Sequence, residues 1–205
     1  MNSIWTKTVN MPKFPALDGD IKTDVLIIGG GMAGILCAHF LKKQGVDYVL
    51  AEGRTNCSGV TKNTTAKITS QHGLIYQKIA KQRGEEMAVR YLHANQAAVR
   101  AYGELAKTIE CDFQRKTNYV YSLNDRKKLE KEMKVLEKLG FDGIFAEYTE
   151  LPLRVEGSCG LSKSGAVSSV EIRSRTGKGA AHLRAKLREG IEASQGGDGK
   201  GRYYV

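Results

Sequence analysis

Apolar positions change their spacing several times along the chain. Residues 1–22 show no regular pattern. Pro12 and Pro15 disfavour helix there, and Trp5 and Phe14 are the groups that would pin such an arm to a surface. Next comes TDVLIIGG, Thr23–Gly30, a continuous apolar run ending in glycines, which predicts a buried parallel strand. From Met32 to Gln44, Ala33, Leu36, Cys37, Phe40 and Leu41 recur at helical spacing, and Gly45 is placed to end that helix in a left-handed cap. VDYVLAE, Val46–Glu52, predicts a second strand. Strand, glycine turn, helix and strand within ~30 residues form a βαβ unit.

From Gly53 to Ser70 the chain is polar and irregular, too long for a simple turn, and is expected to line something. Helical periodicity returns at Leu74–Gln82 and Glu85–Ile109. Phe113–Leu123 predicts a strand, Arg126–Leu139 an amphipathic helix stopped by Gly140, and Gly143–Tyr148 a further strand. The charged run Asp125–Lys134 reads as a solvated helix face with i,i+4 pairs rather than an anion site. After Gly157 the character shifts. The 52 residues from Arg154 onward contain 10 Gly and 7 Ser but no Phe, Trp, Met, Asn or Pro, and only Ala180–Ser194 has a helical pattern.

The turn after the first predicted strand reads Gly29-Gly30-Gly31-Met32-Ala33-Gly34, a GxGxxG pattern that is weak alone. Here it follows a predicted strand and opens a predicted helix. An acidic residue, Glu52, ends the next strand. Gly29 permits the tight turn, Gly31 lets a pyrophosphate approach the backbone, and Gly34 lets helix and strand pack closely. The helix start offers N–H groups and a positive dipole end to phosphates. A carboxylate at Glu52 accepts from ribose hydroxyls and repels a 2′-phosphate, which argues against NADP. The pattern leaves FAD and NAD both open. Two features lean toward FAD: the motif lies near the start of the chain, and the Thr/Asn-rich SGVTKNTTAKI follows the second strand directly.

Composition narrows the picture. A 205-residue chain with 41% hydrophobic residues has enough apolar content for a packed core. The net charge of +10 raises nucleic-acid binding, but half of it sits in residues 154–205, so the basicity belongs largely to the tail. Cys37, Cys57, Cys111 and Cys159 form no CxxC or Cys/His pairing, which argues against zinc, iron–sulfur and disulfide frameworks. Cys37 is expected to be a small core residue, and Cys57 a plain loop cysteine. His72 and His93 are expected to be structural or at the surface. No signal-peptide core and no membrane span are evident, so a cytoplasmic location is expected.

TDVLIIGGGMAGILCAHFLKKQG…YVLAE followed by SGVTKNTTAKI resembles the FAD-dependent oxidoreductases of the D-amino-acid oxidase / glycine oxidase type, over roughly residues 1–157. It is most similar to a bacterial branch whose full-length members often add a C-terminal Rieske domain, of which no Cys-x-His pair occurs here. The resemblance implies an α/β Rossmann-like FAD-binding βαβ fold, truncated, with the start of an α+β substrate domain. The implied layout is an arm at 1–22, the FAD-binding domain with the beginning of a substrate domain at 23–157, and a tail at 158–205. It also implies FAD as cofactor, a small amine or amino acid as substrate, and no nucleic-acid partner. Gly29, Gly31 and Gly34, with Met32 and Ala33 between them, match the pyrophosphate-binding turn. Glu52 matches the ribose-binding acid. Gly53 and Arg54 adjoin it toward the adenosine half. Gly59, Thr61, Asn63 and Thr64 match the second flavin-contacting segment. Family members run about twice this length, so no catalytic residue is assigned. An NAD-dependent dehydrogenase fragment and a non-catalytic dinucleotide-binding fragment are the alternatives.

The compositional break suggests a shift of reading frame near Gly157 or Ser158. With permitted codons, Leu161 to Leu183 read one base later become FPNQAQFHPLKFAAGLAKGLHIY, which resembles the family's continuation. The tail is accordingly expected to be poorly ordered, and the chain poorly soluble, with weak or absent flavin retention.

Overall fold

The computed structural model describes residues 14–109, 111–147, 152, 154–166 and 182–183. The chain divides into two compact units, Met1–Thr65 with Ser168–Val205, and Ala66–Val167.

The first unit contains the expected βαβ element. β1 (Val25–Ile28) and β2 (Tyr48–Ala51) pair in parallel, Val25 opposite Tyr48 and Ile28 opposite Ala51, with α1 (Met32–Lys43) between them in sequence. Lys42 and Lys43 in the last turn of α1 suit the negative end of its dipole. Gly45, at φ +68°, closes the helix: its N–H donates to Lys42 O, and that of Val46 donates to Leu41 O, a Schellman cap.

The buried face of α1 differs from the predicted one. Ile35 and Ala38 are buried and Leu41 is partly so, whereas Cys37 and Phe40 are exposed. Gly34 explains the rotation. It belongs to the packed stripe 34, 35, 38, 41, yet a glycine carries no apolar signal for periodicity to detect. Cys37 is therefore a surface residue, not a core one. Ile27, Tyr48, Leu50 and Cys57 complete this small core.

In the second unit, β3 (Lys67–Ile68), α2 (Tyr76–Arg83), α3 (Glu85–Ala106), β4 (Gln114–Ser122), α4 (Arg126–Lys138), β5 (Ile144–Ala146) and β6 (Gly157–Ala166) follow in chain order. β6 is the centre of an antiparallel sheet, with β4 along one edge and β5 and β3 along the other. Tyr76, Ala88, Leu92, Leu129, Leu136, Leu139, Cys159 and Leu161 form the core between helices and sheet.

Strand β6 runs beyond the expected domain boundary at Gly157. Its sequence, GSCGLSKSGA, has none of the alternation that marks a strand. Pairing on both edges holds it, and aromatic rings lie where its glycines lack side chains. A Cβ at Gly157 would meet the Phe145 ring at 2.7 Å, one at Gly165 the Phe113 ring at 2.7 Å, and one at Gly160 the Tyr119 ring. His182 and Leu183 form β7, parallel to β2, within the stretch 180–194 that has a helical pattern in sequence. The other residues of the expected tail beyond 166, like residues 1–13 of the arm, lie outside the described residues.

The second unit also buries polar groups, each partnered. Gln71 Nε2 donates to Cys159 O (2.9 Å), Asn118 Nδ2 donates to Gln71 Oε1 (2.8 Å), and Gln96 Nε2 donates to Ser70 Oγ (2.8 Å). Glu132, 1% exposed, accepts from the N–H groups of Tyr76 and Gln77 at 2.8 Å each, capping α2 from a distant helix. Burial raises its pKa above the ordinary carboxylate range, opposed by those two hydrogen bonds. Burial also pushes the Cys159 thiol up to about 11, with the Glu132 charge adding to the shift, which keeps that thiol protonated and unreactive.

Candidate dinucleotide site

The site is built on the crossing from β1 to α1. Gly29 has φ +103°, a conformation open to glycine, and its N–H donates to Ala51 O at 2.7 Å, carrying the β1–β2 ladder into the turn. A Cβ at Gly34 would collide with the carbonyl oxygen of Gly29. The third glycine of the motif is therefore demanded by backbone packed on backbone. At Gly31 an added Cβ would find nothing nearer than Thr61 Oγ1, at 3.4 Å, so the backbone is approachable there.

Helix α1 starts at Met32 with Gly31 as its N-cap. That residue provides no side-chain hydrogen bond, and the first turn contains no acidic residue. Met32 N–H donates to Thr61 Oγ1 at 3.3 Å. The first turn of the helix thus sets no carboxylate of its own against its positive end.

Glu52 follows the end of β2 and is fixed by two backbone donors. Gly30 N–H donates to Oε2 at 2.8 Å and Arg54 N–H to Oε1 at 2.9 Å. Each oxygen keeps a further lone pair for a hydroxyl donor.

The segment after Glu52 folds back over the glycine turn. Cys57 N–H donates to Gly30 O at 2.9 Å, with its Sγ 3.6 Å from the same oxygen. Cys57 is buried at φ +61°, a strained conformation for a non-glycine residue. Its thiol is part of this local fold, as expected of a plain loop cysteine. Thr61 lies in a 3₁₀ turn, Val60–Asn63, flanked by Gly59 and Thr64. Asn63 is exposed.

The structure therefore gathers Gly29, Gly31, Met32, Gly34, Glu52, the Arg54 amide and Thr61 around one turn. Ala33 adjoins it on the exposed side of α1. Gly53 adjoins Glu52 in sequence. Sequence reasoning passed over Gly30 and Asn56. A Cβ at Gly30 would collide with the buried Asn56 side chain, and three consecutive glycines were the available signal.

These residues fit the pyrophosphate and adenosine ribose of a dinucleotide: an approachable glycine backbone, a helix start with no acidic residue in its first turn and an anchored carboxylate. The family described as FAD dependent oxidoreductase (DAO) matches residues 24–201. This chain belongs to the FAD dependent oxidoreductase family. Membership decides between the two dinucleotides that the motif left open, in favour of FAD.

The Bacillus subtilis (strain 168) protein YhfW, named as a Rieske 2Fe-2S iron-sulfur protein, is 35% identical over 153 residues, covering 73% of this chain and 30% of YhfW. That relative bears out the similarity to a Rieske-carrying branch. L-amino acid deaminase from Proteus myxofaciens superposes with a TM-score of 0.61 at 16% identity, covering 86% of this chain and 41% of that one. Glycine oxidase from Bacillus cereus ATCC 14579 gives 0.57 at 18% identity, covering 80% and 48%. These two likenesses establish the fold. The chain spans less than half the length of each of these proteins.

Proposed function

We propose that this chain supplies the adenosine and pyrophosphate side of the cofactor site in an FAD-dependent oxidoreductase acting on a small amine or amino acid. The observation that carries the reading is Glu52, held by the amides of Gly30 and Arg54 beside a glycine turn that tolerates no side chain at Gly34. When bound, FAD supplies a flavin N5 that accepts a hydride from the carbon bearing the amine. The residues of this chain bind and orient. Gly29 to Gly34 admit the pyrophosphate, the α1 start neutralises part of its charge, Glu52 accepts from the ribose, and Gly59, Thr61, Asn63 and Thr64 border the flavin half. Glycine oxidase and L-amino acid deaminase, which share the fold, are named for amino-acid substrates, and this supports the substrate class.

Among the described residues no helix is long and apolar enough to cross a membrane, and a cytoplasmic location is part of the proposal. The reading frame is a separate part. The break in composition after Gly157 supports a shifted frame, whereas strand β6 over Gly157–Ala166 and a family match that runs to residue 201 speak for the frame as given, and resequencing the gene across codons 150 to 185 decides between them. An extra base there confirms the shift, and an unchanged frame removes it. Where the extra base is found, the activity is tested on the frame-corrected protein loaded with FAD; where the frame stands, it is tested on the chain as given. Anaerobic addition of small amines and amino acids bleaches flavin absorption near ~450 nm if the proposal holds. A flavin that no amine or amino acid reduces contradicts the substrate class.

A further inference from the structure

The outer face of α4 departs from the ion-pair lacework that its sequence predicted. Among the described residues one i,i+4 ion pair forms on this helix, Arg126 to Glu130 at 2.8 Å, and Arg126 also reaches Glu147 at 2.8 Å. Lys127 and Lys131 instead stand four residues apart with like charge, and so do Lys134 and Lys138. Each such pair is mildly destabilising in an isolated helix.

The four lysines are exposed. On a helix advancing ~100° per residue they fall within about 60° of one another, opposite the buried Leu129, Glu132 and Leu136. They form a straight stripe about 16 Å long on the solvent side. Lys138 makes a loose pair with Glu85 at 3.5 Å. Glu130 and Glu137 run along one flank, Glu130 already engaged by Arg126, and the exposed Lys128 stands on the other.

We propose that this stripe docks an acidic protein, one that presents a matching row of carboxylates. The composition of the patch selects that occupant over other polyanions. Phosphate recognition favours the planar fork of arginine, and the arginine of this helix is tied to two glutamates. A nucleic acid or an anionic membrane is charged over a broad surface and would press phosphates against Glu130 and Glu137. A protein with a narrow acidic row meets the lysines and avoids the flank, so the glutamates fix its orientation. Lysine charges on an exposed helix steer encounter and give weak, salt-sensitive binding. The inference does not depend on the flavin reading.

The test uses the full 205-residue chain and a fluorescein-labelled helical peptide of about 20 residues with glutamates at i, i+4, i+7 and i+11, matching the stripe's spacing. An isomer of scrambled sequence, duplex DNA and phosphatidylserine vesicles are the comparators. The striped peptide is expected to bind more tightly than the scrambled one, with an affinity that falls as salt rises. Lys127→Gln/Lys131→Gln/Lys134→Gln is expected to weaken binding about tenfold or more. Replacing the same three residues by arginine restores it. The control Lys22→Gln/Lys43→Gln/Lys107→Gln changes net charge equally and leaves binding within about twofold. Equal loss in the control, equal binding of the scrambled peptide, or no binding at low salt overturns the proposal. Tighter binding of DNA or vesicles, lost with the same triple variant, reassigns the stripe to a polyanion and also overturns it.

Discussion

The two units solve the problem of holding a turn in place by different means. In the first, the glycine turn is fixed largely by backbone: Gly29 N–H on Ala51 O, Cys57 N–H on Gly30 O, and Gly34 against the Gly29 carbonyl. Its core is small, and Ile28 at the end of β1 is 67% exposed. In the second unit the comparable junction, the start of α2, is fixed by side chains: Glu132 caps it, and Tyr76 is buried in the same core as Leu129 and Leu136. A turn that receives a ligand must leave its surface clear, as the approach at Gly31 is clear. A turn that serves packing is free to fill that surface.

The largest effect that separates the two is expected in the second unit. Leu136→Ala leaves a cavity in a fully buried position and should destabilise the protein by about 2–5 kcal/mol in urea unfolding. A loss below about 1 kcal/mol would mean that the site collapses freely, unlike a packed core. Gly34→Ala comes next. It forces a methyl into the Gly29 carbonyl and should cost about 1–3 kcal/mol while removing dinucleotide binding. Unchanged stability and binding would show that the close approach is not required. Glu52→Gln should weaken FAD binding about tenfold, because the amide puts a donor where the Gly30 or Arg54 N–H requires an acceptor. AMP affinity measured by competition is expected to fall in parallel.

The smallest effect is on pH dependence. Burial raises the pKa of Glu132 in the folded state, so the native protein binds its proton more readily than the unfolded chain does. The stabilising contribution is full below the unfolded pKa and is lost as pH rises through the folded one. The stability of the wild type relative to Glu132→Gln should therefore fall as pH rises above the ordinary carboxylate range, as read by urea unfolding in a pH series. A relative stability that rises with pH would contradict the assignment.

The same contrast explains what the sequence reveals. β1, α1 and β2 were legible because an apolar run, three glycines and a helical stripe are local signals, and Gly45 and Gly140 mark their helix ends for the same reason. The candidate site residues Gly29, Gly31, Gly34 and Glu52 were legible through spacing and their place between predicted strand and helix. The buried face of α1 was misread because Gly34 packs without being apolar. β6 was missed because its partners, not its own side chains, make it a strand. The Glu132 cap joins residues 55 or more positions apart, beyond any local pattern. The lysine stripe was visible as a charged run, but pairing could be judged from geometry alone.

The central claim is that the Gly29–Gly34 turn with Glu52 binds the adenosine diphosphate half of FAD. Titration of the full chain with FAD, followed by flavin fluorescence and competed with ADP, tests it most directly. The account predicts weak, saturable binding that ADP displaces and that Gly34→Ala abolishes. Binding that ADP fails to displace, or that survives unchanged in Gly34→Ala, would contradict it.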